Sequence, residues 1–180
     1  RGASLIPGCG IESPVLMAGT GVSGSENDAS IVFRLGGPGT GILFAGDLEA
    51  PGEADLLASG VDVSAAILKV GHHGSKGSGT AEFIRAVNPG VSVICGWPNG
   101  PRSGPGDTIL WRFIQSKSTV MSTVLLGDIS VDMVSGPGDR FASSPVFKPR
   151  TTFPSIGYIT RDLSGDLIRK VKSGSWPRQN

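Results

Sequence analysis

Three side chains with metal-binding or proton-carrying chemistry follow two apolar runs of this sequence. Asp47 follows the apolar run 42–45, and the pair His72 and His73 follows the apolar run 65–70. The segment between Asp47 and the second run has a helical pattern, so the order is strand, helix, strand. Because a parallel crossover returns the chain to the same edge of a sheet, we expect the three side chains to lie together beyond the carboxyl ends of neighbouring strands.

A carboxylate and an imidazole that converge in one crevice are the usual ligands of a catalytic first-row metal, which polarises a substrate oxygen and lowers the pKa of bound water. Gly46, Gly71 and Gly74 flank these side chains and leave room for a sharp turn or a close ligand. The residues by themselves leave an alternative open for Asp47. It is equally suited to capping the helix that follows it.

The runs Ser25–Leu35, Phe44–Glu49 and Leu68–Lys76 resemble, in this order and spacing, the second half of a metallo-β-lactamase-fold hydrolase. The similarity is greatest to the group that contains the hydrolase-like domain of ComEC competence proteins and related stand-alone hydrolases. The match extends from Gly24 to Val93. It implies an α/β fold of the αββα type, of which this chain supplies only the second half, with β-hairpins and a loop-rich C-terminal extension.

The resemblance also implies roles for individual residues. Asp47 matches the aspartate that bridges two metal ions in this superfamily, usually zinc. One of His72 and His73 matches a metal-binding histidine; we favour His73 as the ligand, with His72 contacting the substrate, orienting it or protonating it. The implied cofactor is one or two zinc ions, or manganese, and the implied reaction is attack of metal-bound hydroxide on a phosphoester or a related ester.

Four further residues are candidates for substrate binding. The family context implies an anion-friendly rim at Lys69, Ser75 and Lys76, although these three can also be solvated loop residues. Asn99 matches an asparagine that the family often carries in the loop after the next strand. The histidine that often accompanies it is missing from this sequence, because His72 and His73 are the only histidines present.

The departure from the family pattern concerns the ligand count. The first metal-binding motif of the superfamily, of the HxHxDH type, is absent, whereas a catalytic zinc usually takes three protein ligands and a water. Successive residues of an extended chain point to opposite faces, so we expect only one of the two histidines, not both, to bind the same metal as Asp47. Two interpretations remain: an upstream half of the same protein completes the site, or the domain is degenerate and non-catalytic, with a structural or partner-binding role.

A nucleotide-binding βαβ unit is disfavoured because no glycine-rich phosphate loop follows Asp47.

Composition sets the bounds of these interpretations. The 180 residues are 38% hydrophobic, enough for one domain with a sizeable core. The net charge of +1 gives no broad attraction to nucleic acid or to anionic membranes. No apolar run approaches the roughly 20 residues that span a bilayer, and no signal-peptide layout is visible, so a soluble domain is expected, in a compartment left open. The first residue, Arg1, suggests a processed product or a piece of a longer chain.

The predicted organisation has three parts. Residues 1–24 form an irregular lead-in with a strand near 15–18, residues 25–135 form the half domain, and residues 136–180 form the C-terminal extension with a hairpin. Within the half domain, periodicity and turn residues predict the following elements: strands 29–35, 42–45, 65–70, 91–95, 120–126 and 129–134, and helices 49–59, 81–87 and 108–115.

The turn residues also predict how these elements are connected. Strands 29–35 and 42–45 form one hairpin, and strands 120–126 and 129–134 form another. Thr80 is a candidate N-cap of helix 81–87, and the pattern of helix 108–115 leaves open whether Trp111 faces inward. Residues 136–154 are a long connector, and the hairpin of the extension lies near 155–171.

Overall fold

A single six-stranded sheet forms the centre of the protein. The computed structural model describes residues 12–19, 25–96, 105, 107–126, 129, 131–132 and 146–147. The strands lie in the sheet in the order of the sequence. They are β1 (Val15–Met17), β2 (Val32–Leu35), β3 (Ile42–Phe44), β4 (Ile67–Lys69), β5 (Val91–Ile94) and β6 (Thr119–Ser122).

The sheet is antiparallel in its first half and parallel in its second. β1, β2 and β3 pair antiparallel, and β3, β4, β5 and β6 pair parallel. One helix lies in each parallel connection: α1 (Ala50–Ala58), α2 (Ala81–Val87) and α3 (Asp107–Gln115). The predicted α/β class and the predicted hairpin of β2 and β3 are therefore confirmed, while the αββα arrangement stays a prediction.

The helices bury one face of the sheet. A single apolar cluster joins alternate strand residues to the inner sides of the helices, with Leu43, Leu68, Ile94 and Val120 from the strands and Leu56, Phe83, Ile84, Val87, Ile109 and Phe113 from the helices. Since side chains alternate along a strand, the intervening residues point to the opposite face. That face also carries apolar side chains, of which Ile67 and Met121 are buried. The others are half-buried: Phe33, Ile42, Phe44, Val91 and Val93.

Two predicted strands begin or end elsewhere than expected. The strand predicted from residue 29 begins at Val32, because Glu26–Ala29 form a 3-10 turn. The strand predicted to continue to residue 126 ends at Ser122 and is followed by the short helix α4 (Thr123–Leu126). The Thr123 hydroxyl bonds both the N–H and the carbonyl of Gly96, at 2.9 and 3.2 Å, which anchors the chain where it leaves the sheet.

The predicted hairpin of residues 120–126 and 129–134 is wrong. The described part of its second strand, β7 (Val131–Asp132), pairs antiparallel with β8 (Val146–Phe147), which lies in the segment predicted as a connector. Residues 131–132 thus form their strand pairing with a later part of the chain instead of with β6. The C-terminal hairpin predicted near residues 155–171 lies outside the described residues.

The carboxylate of Asp28 fixes the start of α1. Asp28 is buried, and its Oδ1 accepts the N–H groups of Glu49 and Gly52, both at 3.0 Å. Its Oδ2 accepts the N–H of Ser25 at 2.9 Å and lies 3.3 Å from the Ser25 hydroxyl oxygen. A carboxylate at a helix N-terminus satisfies free N–H groups and interacts favourably with the helix dipole. Asp28, distant in sequence, therefore performs the capping role that the sequence left open for Asp47.

A second buried carboxylate joins α1 to α2. Glu53 accepts the N–H groups of Gly79 and Thr80 at 2.6 and 2.8 Å, and Thr80 in turn caps α2 by accepting the N–H of Phe83. Burial raises the pKa of Glu53, although these hydrogen bonds and the nearby guanidinium of Arg112 oppose the rise. The two carboxylates together set the position of α1 relative to its neighbours.

Within the described residues, every helix is too short to cross a bilayer, and none combines the length and hydropathy of a membrane span.

Replacing Asp28 by Asn tests the cap. The substitution keeps the size of the side chain. It replaces one carboxylate oxygen, which accepts an N–H, by an amide NH₂ that faces this N–H donor, and it removes the negative charge at the helix N-terminus. We expect the free energy of unfolding in urea to fall by about 2 kcal/mol. Glu26→Gln, an exposed acidic neighbour in the same turn, is the control and should change it by less than about 0.5 kcal/mol. Equal effects of the two substitutions would contradict the assignment.

Candidate functional site

Asp47 lies at the carboxyl end of β3, at the predicted edge of the sheet. The preceding residue, Gly46, has a φ of +56°, and a Cβ there would lie 2.7 Å from the Cβ of Ser30. The Ser30 hydroxyl accepts the N–H of Asp47 at 2.9 Å. Glycine is therefore required for the close approach of residue 30, which holds the backbone of Asp47 and leaves its side chain 42% exposed.

The two histidines occupy a turn, Gly71–Gly74, which follows β4 and which we call the histidine turn. His72 and His73 have φ values of 43° and 54°, so both are left-handed. The expectation of extended backbone here is wrong, because the turn closes through the Ser75 N–H on the His72 carbonyl at 2.9 Å. The expected divergence of the two rings is nonetheless present, since His73 approaches Asp47 and His72 approaches Glu49.

His73 has the geometry of a metal-ligating histidine. Its Nδ1 lies 2.9 Å from the carbonyl oxygen of Cys95. A carbonyl oxygen can only accept, so Nδ1 carries the proton and Nε2 of the neutral ring carries the lone pair. Ligating histidines ordinarily donate their second N–H in this way.

The distance between His73 and Asp47 fits two ligands of one ion. Nε2 of His73 lies 3.6 Å from Oδ1 of Asp47, too far for a good hydrogen bond. Two ligands that bind zinc tetrahedrally, each at its ordinary bond length, are separated by about 3.4 Å. Among the described residues, no group of three or more His, Cys, Asp or Glu side chains could hold a metal. The donors therefore fit in type and spacing but fall one short of an ordinary catalytic zinc site.

Lys69 is a counter-charge for Asp47. Its ammonium donates to the carbonyl of Gly46 at 2.7 Å and lies 4.0 Å from Oδ1 of Asp47. Its side chain is only 20% exposed, which distinguishes it from a solvated loop lysine. The cation at the edge of the site is thus fixed by the backbone of the same turn that carries Asp47.

The other predicted substrate-binding residues have different environments. Ser75 is half-buried, and its hydroxyl accepts the N–H of Gly77 at 3.5 Å, whereas Lys76 is exposed. Asn99 lies outside the described residues. A role of Ser75, Lys76 or Asn99 in substrate binding stays a prediction.

Glu49 is a site residue that the sequence analysis did not identify. Its Oε1 lies 2.9 Å from Nδ1 of His72, and its Oε2 accepts the Ser25 hydroxyl at 3.0 Å. The hydrogen bond from His72, followed by that from Ser25, lowers the pKa of Glu49. The available signal was its position in the short connection between β3 and α1, two residues after Asp47.

Comparison with known proteins points to bacterial competence proteins. The chain is 33% identical over 105 residues to ComE operon protein 3 of Bacillus subtilis, and this alignment covers 58% of this chain and 14% of that protein. It is 28% identical over 123 residues to Recombination protein 2 of Haemophilus influenzae, and this alignment covers 68% of this chain and 15% of that protein. It is 36% identical over 69 residues to Competence protein ComA of Neisseria gonorrhoeae, and this alignment covers 38% of this chain and 10% of that protein.

This chain thus spans about 10 to 15% of the length of these relatives. No family model matches the chain, and no solved structure does. The similarity to ComEC-like competence proteins is therefore confirmed at the level of sequence. The metallo-β-lactamase fold stays a prediction.

Substituting alanine at Gly46 tests the close approach that positions Asp47. Gly60→Ala is the matched control, because Gly60 has a similar φ of +70° but a Cβ there would meet nothing within 4 Å. Both variants carry the strain of a left-handed alanine, and only Gly46→Ala adds a clash with Ser30. We expect Gly46→Ala to lower the free energy of unfolding by about 1–3 kcal/mol more than Gly60→Ala. Equal losses in chemical denaturation would show that Ser30 does not restrict this turn.

Proposed function

We propose that Asp47 and His73 are two ligands of a metal centre, zinc or manganese, in a hydrolase that acts on a phosphoester or a related ester. The observation that carries the proposal is the geometry of His73. One ring nitrogen donates to the Cys95 carbonyl at 2.9 Å, and the other lies 3.6 Å from the Asp47 carboxylate. The similarity to ComEC-like competence proteins supports placing this site in the same functional context.

Each residue has a distinct part in this proposal. A bound metal ion would supply Lewis acidity toward a substrate oxygen and lower the pKa of a water. Asp47 and His73 hold the ion, and the ammonium of Lys69, 4.0 Å from the Asp47 carboxylate, attracts an anionic substrate group to the same edge. His72, whose ring centroid is 6.5 Å from that of His73, holds or transfers a proton beside the pair.

The remaining ligands, in this proposal, come from a further segment of the same polypeptide. The apolar sheet face opposite the helices supports this, because such a face is ordinarily covered by another layer. Phe33 and Phe44 stack on it with ring centroids 4.6 Å apart, and both are half-buried. Lys69 lies on the same face, since it is in register with Phe44. A layer that covers these residues would reach the exposed side of Asp47.

A second candidate function, a non-catalytic domain that binds a partner or supports structure, is favoured by the same lysine. Lys69 neutralises Asp47 in part without any metal, and the described residues supply two donors where a catalytic zinc takes three. Under this alternative, Lys69 stabilises the turn after β3 as the permanent partner of the carboxylate.

Titration of the chain with Zn²⁺ and with Mn²⁺, followed by calorimetry, separates the two candidates. We expect Asp47→Asn and His73→Ala each to weaken binding by about tenfold or more, because each removes one ligand of a shared ion. Ser75→Ala, in the neighbouring loop, is the control and should bind as the original chain does. Zinc that both variants lose supports the metal centre, and hydrolysis of bis(p-nitrophenyl) phosphate is then assayed with the loaded chain. Absence of binding by the original chain would overturn a metal centre formed by this chain alone.

Lys69→Met provides an independent prediction. Removing a cation 4.0 Å from the Asp47 carboxylate should tighten Zn²⁺ binding by roughly twofold to fivefold, because lysine and metal compete for the same negative charge. Lys76→Met, which removes an exposed lysine nearby, is the matched control and should change the affinity less. Loss of stability in Lys69→Met without a gain in zinc affinity would favour the permanent ion pair of the second candidate.

A further inference from the structure

Glu49 is held at three points beneath His72. Its Oε1 pairs with Nδ1 of His72 at 2.9 Å, and its Oε2 accepts the Ser25 hydroxyl at 3.0 Å and the Asn27 amide at 3.5 Å. Its backbone N–H is held by Asp28 at 3.0 Å. Both oxygens and the main chain are therefore fixed, so the carboxylate cannot turn away from the imidazole without breaking bonds to the 25–28 segment.

His72 adopts a backbone conformation that needs such support. Its φ of 43° and ψ of 45° are left-handed, a region that costs energy for a residue with a Cβ. Its N–H is bonded to the carbonyl of Gly46 at 3.2 Å, and its side chain is only 10% exposed. A strained and nearly enclosed histidine paired with a carboxylate is an arrangement found at sites that move protons.

We propose that Glu49 is the positioning residue of His72. A carboxylate can only accept, so it keeps the proton of the neutral imidazole on Nδ1 and leaves the lone pair on Nε2. This inference rests on the function proposed above. In that reaction the Glu49 carboxylate would fix the orientation of the His72 ring and its Nδ1–H tautomer at the edge of the site.

The inference gives a role to the sequence run 25–28, which carried part of the family resemblance without an assigned chemistry. Asp28 fixes the main chain of Glu49, and Ser25 and Asn27 fix its carboxylate. The segment before β2 therefore acts on the site indirectly, through Glu49. His73 does not depend on this support, because its Nδ1 is held by the Cys95 carbonyl on the other side of the turn.

The test is the tautomer of His72 read from ¹⁵N NMR shifts of the ring nitrogens, at a pH where the ring is neutral. His72 and His73 are the only histidines of the chain, so measurement in a His73→Ala background assigns the signal. We expect the Nδ1–H tautomer to dominate, and Glu49→Ala to reduce its population at least twofold. Glu49→Gln should restore it, because the amide oxygen still accepts from Nδ1. Glu26→Ala, which removes an exposed acidic residue of the 3-10 turn Glu26–Ala29, is the control.

The outcomes distinguish this inference from the proposed function. An unchanged tautomer in folded Glu49→Ala overturns the positioning role, whatever the metal affinity. If Glu49→Ala does not fold, Ser25→Ala replaces it. The positioning role is then overturned if Ser25→Ala leaves the tautomer unchanged and Glu49→Gln gives a signal that differs from the original. Zn²⁺ binding is measured on the same chains with His73 restored. A tautomer that depends on Glu49 in a chain that binds no zinc overturns a metal centre formed by this chain alone and leaves the positioning of His72 intact.

Discussion

The buried carboxylate of Asp28 is the interaction on which the rest of the site depends. It accepts three backbone N–H groups, that of Ser25 and those of Glu49 and Gly52 at the start of α1. Because the connection from β3 to α1 carries both Asp47 and Glu49, fixing the helix start fixes the two acidic side chains of the site. Gly52 is part of the same constraint, since a Cβ there would lie 2.7 Å from the Asp28 carboxylate.

The parallel half of the sheet then brings the histidine turn to the same edge. Two separate acid–imidazole pairs result, Asp47 with His73 and Glu49 with His72, and they differ in exposure. The Asp47–His73 pair is about half exposed and spaced like ligands of an ion, whereas the Glu49–His72 pair is in hydrogen-bond contact and more enclosed. This difference is the physical basis of our proposals, in which Asp47 and His73 bind a metal and Glu49 positions His72.

The apolar second face of the sheet and the small number of metal donors are related features. Both are found on the side of the molecule where Lys69 and the exposed face of Asp47 lie, and both would be resolved by one additional layer of structure. The relatives from Bacillus and Haemophilus are several times longer than the chain, which is consistent with this proposal.

The sequence by itself determined the α/β class, the helix α2 with its Thr80 cap, and the meeting of Asp47 with the histidines, because local periodicity and the geometry of a parallel crossover suffice for these. Tertiary structure decided which histidine faces Asp47, the capping of α1 by Asp28, the recruitment of Glu49 and the end of β6 at Ser122. The exposed position of Trp111, which the pattern of α3 had left open, was also decided there. These features depend on left-handed backbone angles and on hydrogen bonds between segments more than 20 residues apart, which local patterns of hydrophobic residues do not encode.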